Sequence, residues 1–173
     1  MRLPWCVVVA VFISLILATG VAEAAAWKVI SSPSPGVTGN ELISVAVVAA
    51  NDVWAVGDIT VSGGATQTLV EQWNGTQWSV VPSPNPMGNN LLRGVASVSA
   101  NNIWAVGFEV ANGLTLIGHW NGTKWRVVKS PNPGPSLNIL NGVAADPGSG
   151  QTWAVGVFFN ANGVSQTLTE FHP

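Results

Sequence analysis

Seven acidic residues follow the N-terminal leader: Glu41, Asp52, Asp58, Glu71, Glu109, Asp146 and Glu170. Glycoside hydrolysis needs two carboxyl groups about 5 to 9 Å apart across a cleft, and the sequence spacing places no two of them that way. Asp52 lies in Ala50-Asn51-Asp52-Val53, a turn in which a short acidic side chain bonds nearby backbone. The second copy of the same segment carries Asn102, which serves a turn but not acid–base work. His119 and His172 are the only histidines. A metal site takes three or four ligands, so His119 is expected at a polar strand position, with no metal or other cofactor. Ser32, Ser83 and Ser130 precede prolines and lack the G-x-S-x-G context of a catalytic nucleophile. These residues read as non-enzymatic. Asn74-Gly75-Thr76 and Asn121-Gly122-Thr123 match the glycosylation acceptor pattern, and a hairpin turn accounts for the same residues.

Tryptophan is the other chemically distinctive residue: the chain has nine and no tyrosine. Trp54, Trp104 and Trp153 sit in the most apolar segments and are expected in the core. Trp73, Trp78, Trp120 and Trp125 flank turns and are the candidate residues for stacking on a ligand such as a sugar ring.

The 173 residues are 47% hydrophobic and 8% charged, with a net charge of -2. That balance excludes a disordered chain and gives no basic surface for nucleic acid. The N-terminus reads as a signal peptide over residues 1–26. Arg2 supplies the positive end, Val7 to Leu17 the apolar stretch, and Ala22-Glu23-Ala24 the small-residue cleavage site. Export is therefore expected, and an uncleaved leader would leave a membrane anchor. Cys6 is the only cysteine and lies in this leader, so the mature chain holds no disulfide.

What positions these residues is a repeat of roughly 50 residues that fills positions 27–173, in units 27–77, 78–124 and 125–173. Trp54, Trp104 and Trp153 are 50 and 49 residues apart, and Trp27, Trp78 and Trp125 are 51 and 47 apart. Within the second unit, strands are expected over Trp78–Val81, Leu92–Val98, Ile103–Phe108 and Leu114–Trp120. Pro82-Ser83-Pro84-Asn85-Pro86 ends the first of these, because proline donates no ladder hydrogen bond. Asn121-Gly122 reads as a two-residue hairpin turn with both residues at positive φ. Four strands per repeat of this length predict an all-β chain of four-stranded, antiparallel propeller-like blades.

Ile103-Trp104-Ala105-Val106-Gly107 and the later Trp125 resemble the kelch and galactose-oxidase-type propeller repeat, over residues 27 to 171. The S-P-N-P, W-A-V-G and W-N-G-T elements are similar to repeats of exported bacterial proteins. The chain departs from the kelch pattern in having a single Gly57, Gly107 or Gly156 where that family carries a glycine pair. Copper chemistry of the galactose-oxidase kind, as the resemblance implies, needs tyrosine and a cross-linked cysteine, which the mature chain lacks. The units give two complete blades, one three-stranded blade and a lone first strand at Trp27. Three blades do not close a ring, so two outcomes are expected. Either two chains form a six-bladed homodimer, each donating its first strand, or the chain is a remnant of a larger propeller protein. The function expected is a secreted, non-catalytic binding or scaffold module for an extracellular protein or glycan. The alternative is a carbohydrate-binding or carbohydrate-active accessory module.

Overall fold

The computed structural model describes residues 26–86 and 88–173; the leader up to residue 25, with the Ala22-Glu23-Ala24 site, lies outside the described residues. Residues 31–173 form one compact unit. It contains eleven strands: β1 (Gly39–Ala49), β2 (Asp52–Thr60), β3 (Thr66–Trp73), β4 (Trp78–Val80), β5 (Asn90–Ser99), β6 (Asn102–Glu109), β7 (Leu114–Trp120), β8 (Trp125–Val128), β9 (Asn138–Ala145), β10 (Thr152–Phe159) and β11 (Ser165–His172). They pair in antiparallel meanders as β1-β2-β3-β4, β5-β6-β7-β8 and β9-β10-β11. These are blades one, two and three. The chain is all-β and of partial propeller type, as the repeat predicts.

Sequence repeat and blade are out of phase by one strand. Each unit opens with a tryptophan strand that pairs on the blade before it: β4 lies on β3 and β8 on β7. Blade three therefore ends at β11 without a fourth strand. The expected strand at Trp27 is not formed. Residues 26–30 have no regular structure, and the Trp27 and Val29 side chains are fully exposed. An isolated strand has no ladder to satisfy its backbone groups, so water satisfies them instead.

The core forms where blades face one another. Trp54 and Val56 of β2 pack against Leu92, Val95, Ile103, Leu116 and Trp125 of blade two. Val106 of β6 packs against Leu140, Ala154 and Leu168 of blade three. The glycine that closes each W-A-V-G strand follows from the neighbouring inner strand. A bulge between Leu92 and Gly94 brings the Leu91 carbonyl against Gly107, in the place a Cβ would take. The same close approach fixes Gly57 against Glu41 and Gly156 against Ile139.

The Asn-Gly turns differ from the expected two-residue form. Gly75 and Gly122 have φ of 96° and 91°, but among the described residues none other than glycine has positive φ. The loops are four residues long, with Asn74 N–H donating to Gln77 O and Asn121 N–H to Lys124 O. Asn74 Oδ1 accepts from the N–H and hydroxyl of Thr76 and the N–H of Gln77, at 2.8 to 3.0 Å. Asn121 does the same for Thr123 and Lys124. The asparagine is needed for its side-chain oxygen rather than for a left-handed backbone.

Candidate functional site

The S-P-N-P loops tie the end of each tryptophan strand to the blades beside it. Ser83 Oγ lies 2.7 Å from Thr68 Oγ1, and Asn85 Oδ1 accepts from Thr68 N–H at 2.8 Å. One repeat later, Ser130 Oγ lies 2.6 Å from Thr115 Oγ1, and Asn132 takes the Thr115 N–H. Ser130 also reaches forward to blade three, 2.8 and 3.0 Å from the two Glu170 carboxyl oxygens. Ser83 and Ser130, which lack the sequence context of a nucleophile, are loop clamps.

Between blades one and two, β8 places Trp125 in the interface. Its ring lies 5.7 Å from Trp54 and 6.0 Å from Trp120, and Trp120 lies 4.9 Å from Trp54. A Cβ added to Gly118 would stand 3.3 Å from the Trp125 ring, so glycine leaves room for the indole. The gap that remains, lined by Thr68, Val70, Ser83, Leu92, Leu116 and Trp125, has a volume of about 10 Å³. Trp54 Nε1 donates to Asp52 Oδ1 at 2.8 Å, and Gln72 Nε2 donates to the same oxygen at 2.9 Å. Asp52 opens β2 and anchors Trp54, rather than lying within a turn and bonding nearby backbone as expected.

The corresponding place between blades two and three is open. A cavity of about 400 Å³ is lined by Trp104, Val106, Ile117, Ala154 and Leu168, with Lys129, Thr152, Thr169, Glu170 and His172 as its polar members. Its walls repeat those of the small gap position by position: Ile117 for Val70, Ala154 for Ala105, Leu168 for Leu116, Glu170 for Gly118. What it lacks is the counterpart of β8 and Trp125. Trp104 Nε1 and Thr152 Oγ1 are buried there without hydrogen-bond partners, an arrangement that costs about 1–3 kcal/mol per group.

Both histidines converge on Trp104. The His119 ring stacks on it at 4.2 Å and 27°, and His172 lies 4.6 Å away at 47°. His119 Nε2 stands 2.9 Å from Asn102 Oδ1, so Asn102 serves the histidine where Asp52 serves the tryptophan. Burial, and then the nearby His172, hold His119 below the usual histidine range. Burial pushes the Glu170 carboxyl up, against a smaller opposite pull from Ser130. Among the described residues no group of three acidic, histidine or cysteine side chains is placed to hold a metal ion.

The four candidate stacking tryptophans separate into two kinds. Trp125 is 6% exposed and so offers no free ring face, contrary to expectation, while Trp120 is partly buried with its ring packed beside Trp54 and Trp125. The physical reason is blade-to-blade packing, which the position of a residue beside a turn does not disclose. Trp73 and Trp78 lie 5.9 Å apart at the outer end of blade one and are partly exposed. The core expectation holds for Trp54 and Trp104, which are buried, and fails for Trp153, which is 52% exposed. Trp153 and Phe171, 4.6 Å apart, form an apolar surface on blade three that no further blade of the described residues covers. Val45 and Val47 leave a similar surface on blade one.

On the same leading face of blade one, Glu71 is fully buried and its carboxyl is pushed up by that burial. Ser32 approaches and offsets part of the effect, though neither Glu71 oxygen has a hydrogen bond of acceptable geometry. Ser32 thus lies beside Glu71 at the repeat position of Ser130 beside Glu170, without the two short bonds that Ser130 makes.

No family model and no curated protein matches the chain. Among solved structures it is similar to YCF48 bound to a D1 peptide, with 14% identity and a TM-score of 0.52, over 80% of this chain and 40% of that one. The chain therefore spans about two fifths of that structure's length. A fucose lectin from Kordia zhangzhouensis in complex with methyl-fucoside aligns with 14% identity and a TM-score of 0.46, over 75% of this chain and 94% of the lectin. The likeness to YCF48 is one of fold, and it places the three sheets among β-propeller-type architectures.

Proposed function

We propose that the chain is an exported, non-catalytic binding module built from kelch-like blades, and that the open slot of blade three receives an extended polypeptide strand bearing an aromatic side chain. The observation that carries this reading is the pair of equivalent positions: β8 and Trp125 fill one, and the other is an apolar cavity of about 400 Å³ beside the unpaired edge of β11. A strand added there would gain ladder hydrogen bonds along β11, and the cavity would select the side chain that enters it. Export rests on Arg2, the apolar run Val7–Leu17 and the small residues that follow. The D1 peptide bound to YCF48 is in keeping with a peptide ligand for such a fold.

The test uses an eight-residue peptide with the sequence of residues 125–132, W-R-V-V-K-S-P-N, titrated calorimetrically into the chain carrying Trp27→Ser. Saturable binding that is lost when the peptide's tryptophan becomes serine supports the slot; no binding overturns it. A second reading is a glycan site on the partly exposed Trp73–Trp78 pair of blade one. A glycan array retaining a sugar, with retention lost in Trp78→Ala, would favour it.

A further inference from the structure

We propose that the occupant of the slot is the segment Trp27–Ile30 of a second copy of this chain, so that two chains exchange strands and close one six-bladed ring. This rests on the slot reading above and names its ligand. The first argument is sequence identity of role. Trp27-Lys28-Val29-Ile30 stands where Trp78-Ser79-Val80-Val81 and Trp125-Arg126-Val127-Val128 stand in the other units, and it alone of the three forms no strand. Both formed strands pair with the third strand of the preceding blade, Trp78 opposite Trp73 and Trp125 opposite Trp120. Among the described residues the segment at Trp27 has no such blade before it, and β11 has no such strand beside it.

The second argument is the serine clamp. Ser130 spans two blades, touching Thr115 of blade two and Glu170 of blade three. Ser32, five positions after Trp27 as Ser130 is after Trp125, is already at Glu71 of blade one. Its other partner by the same pattern is Thr167, which is exposed on β11 without a serine. Only another copy presents Thr167 in front of blade one.

The third argument is the match of the end faces. Trp153 and Phe171 of blade three are repeat counterparts of Trp54 and Gln72, and they lie exposed. Trp73 and Trp78, counterparts of Trp120 and Trp125, form the leading face of blade one with Val45. The blade-one-to-two interface is therefore present twice more as two unjoined halves, and joining them across a twofold axis leaves no open edge. Glu170 does not obstruct the strand, because blade one carries Glu71 at the same place and still pairs with β4.

The register follows from β7–β8: Trp27 opposite His172 of the other copy, Lys28 opposite Phe171, Val29 opposite Glu170 and Ile30 opposite Thr169. Trp27 then covers Trp104 as Trp125 covers Trp54. The experiment introduces Lys28→Cys and Phe171→Cys together, with Cys6→Ser removing the only native thiol. The full chain, produced with its own leader, is oxidised mildly and weighed by light scattering and non-reducing electrophoresis. A discrete two-chain mass with an interchain disulfide is expected. Trp27→Ser should abolish the dimer while leaving the β-sheet circular dichroism in place. A monomer without the cross-link, or one whose cross-link closes within a single chain, overturns the proposal. If the Trp27→Ser chain still binds the 125–132 peptide while the unaltered chain is monomeric, the slot stands and the second copy as its occupant falls.

Discussion

Trp54 and Trp104 hold the same place in consecutive blades, yet their surroundings differ on every side. Trp54 meets two indoles from blade two and gives its N–H to Asp52. Trp104 meets two imidazoles, leaves its N–H unpartnered and borders a cavity. The first arrangement is finished by its own chain; the second waits for one strand. The difference teaches that the blade is not the unit of stability here. Each blade contributes a half-interface, and a repeat array is stable through the joins between neighbours.

The sharpest way to break this comparison is to truncate both indoles. Trp54→Ala removes a fully buried side chain from a filled interface and should cost about 4 kcal/mol. In the Trp27→Ser chain, Trp104→Ala should cost about half as much, because one face of that ring already borders empty space. Urea unfolding of the two variants measures both. Equal costs would mean that the slot collapses in solution. If the costs become equal only when Trp27 is intact, the difference lies in the missing strand.

A smaller contrast uses a pair of glycines at one repeat position, Gly94 in β5 and Gly142 in β9. A Cβ on Gly94 would stand 3.1 Å from the Val143 backbone nitrogen and 3.2 Å from the Gly142 Cα, because blade three covers it. On Gly142 the nearest atom is a Val155 methyl at 3.6 Å, an ordinary contact. Gly94→Ala should therefore destabilise by about 1–3 kcal/mol through overpacking. Gly142→Ala in the Trp27→Ser chain should stabilise by about 0.5–1 kcal/mol, since glycine weakens a strand interior. Thermal unfolding reads the two signs. Two losses of similar size would show that blade three is covered even without Trp27.

How much of this is legible in the sequence follows from the kind of signal each feature leaves. Strands such as β7 follow from proline, glycine and apolar runs, which are local, and the structure returns Leu114–Trp120 as expected. The role of Asn74 is half legible. The residue marks a turn, but whether it serves by backbone or by side-chain oxygen depends on the loop's closure. Trp125 and Trp153 depart from expectation for one reason. Their exposure is decided by the neighbouring blade, so one repeat position gives a buried ring in the interior, as at Trp104, and an open one at the end, as at Trp153. The cavity is invisible in the sequence for the same reason, since it is the absence of a strand at a position defined only by comparison with Trp125.

The smallest expected effect lies in the two imidazoles around Trp104, His172 at the repeat position of Trp120 and His119 at that of Gln72. His119 has Asn102 at one ring nitrogen, Trp104 against its face and His172 nearby, with Glu170 and Lys129 along the same cavity wall. Burial and then His172 lower its pKa from 6.5, so the folded chain binds fewer protons than the unfolded one between the two values. Stability should accordingly rise with pH through that window, be fully present above pH 6.5, and be lost as pH falls through the folded value. Asn102→Asp restores the residue type that anchors Trp54 in blade one and sets a carboxylate beside the ring. A nearby negative charge favours the imidazolium, so the His119 titration followed by proton NMR should move upward and the window should narrow or close. If His119 titrates at its ordinary value in the unaltered chain, the stacked imidazole is solvated, and the interface between blades two and three is looser than that between blades one and two.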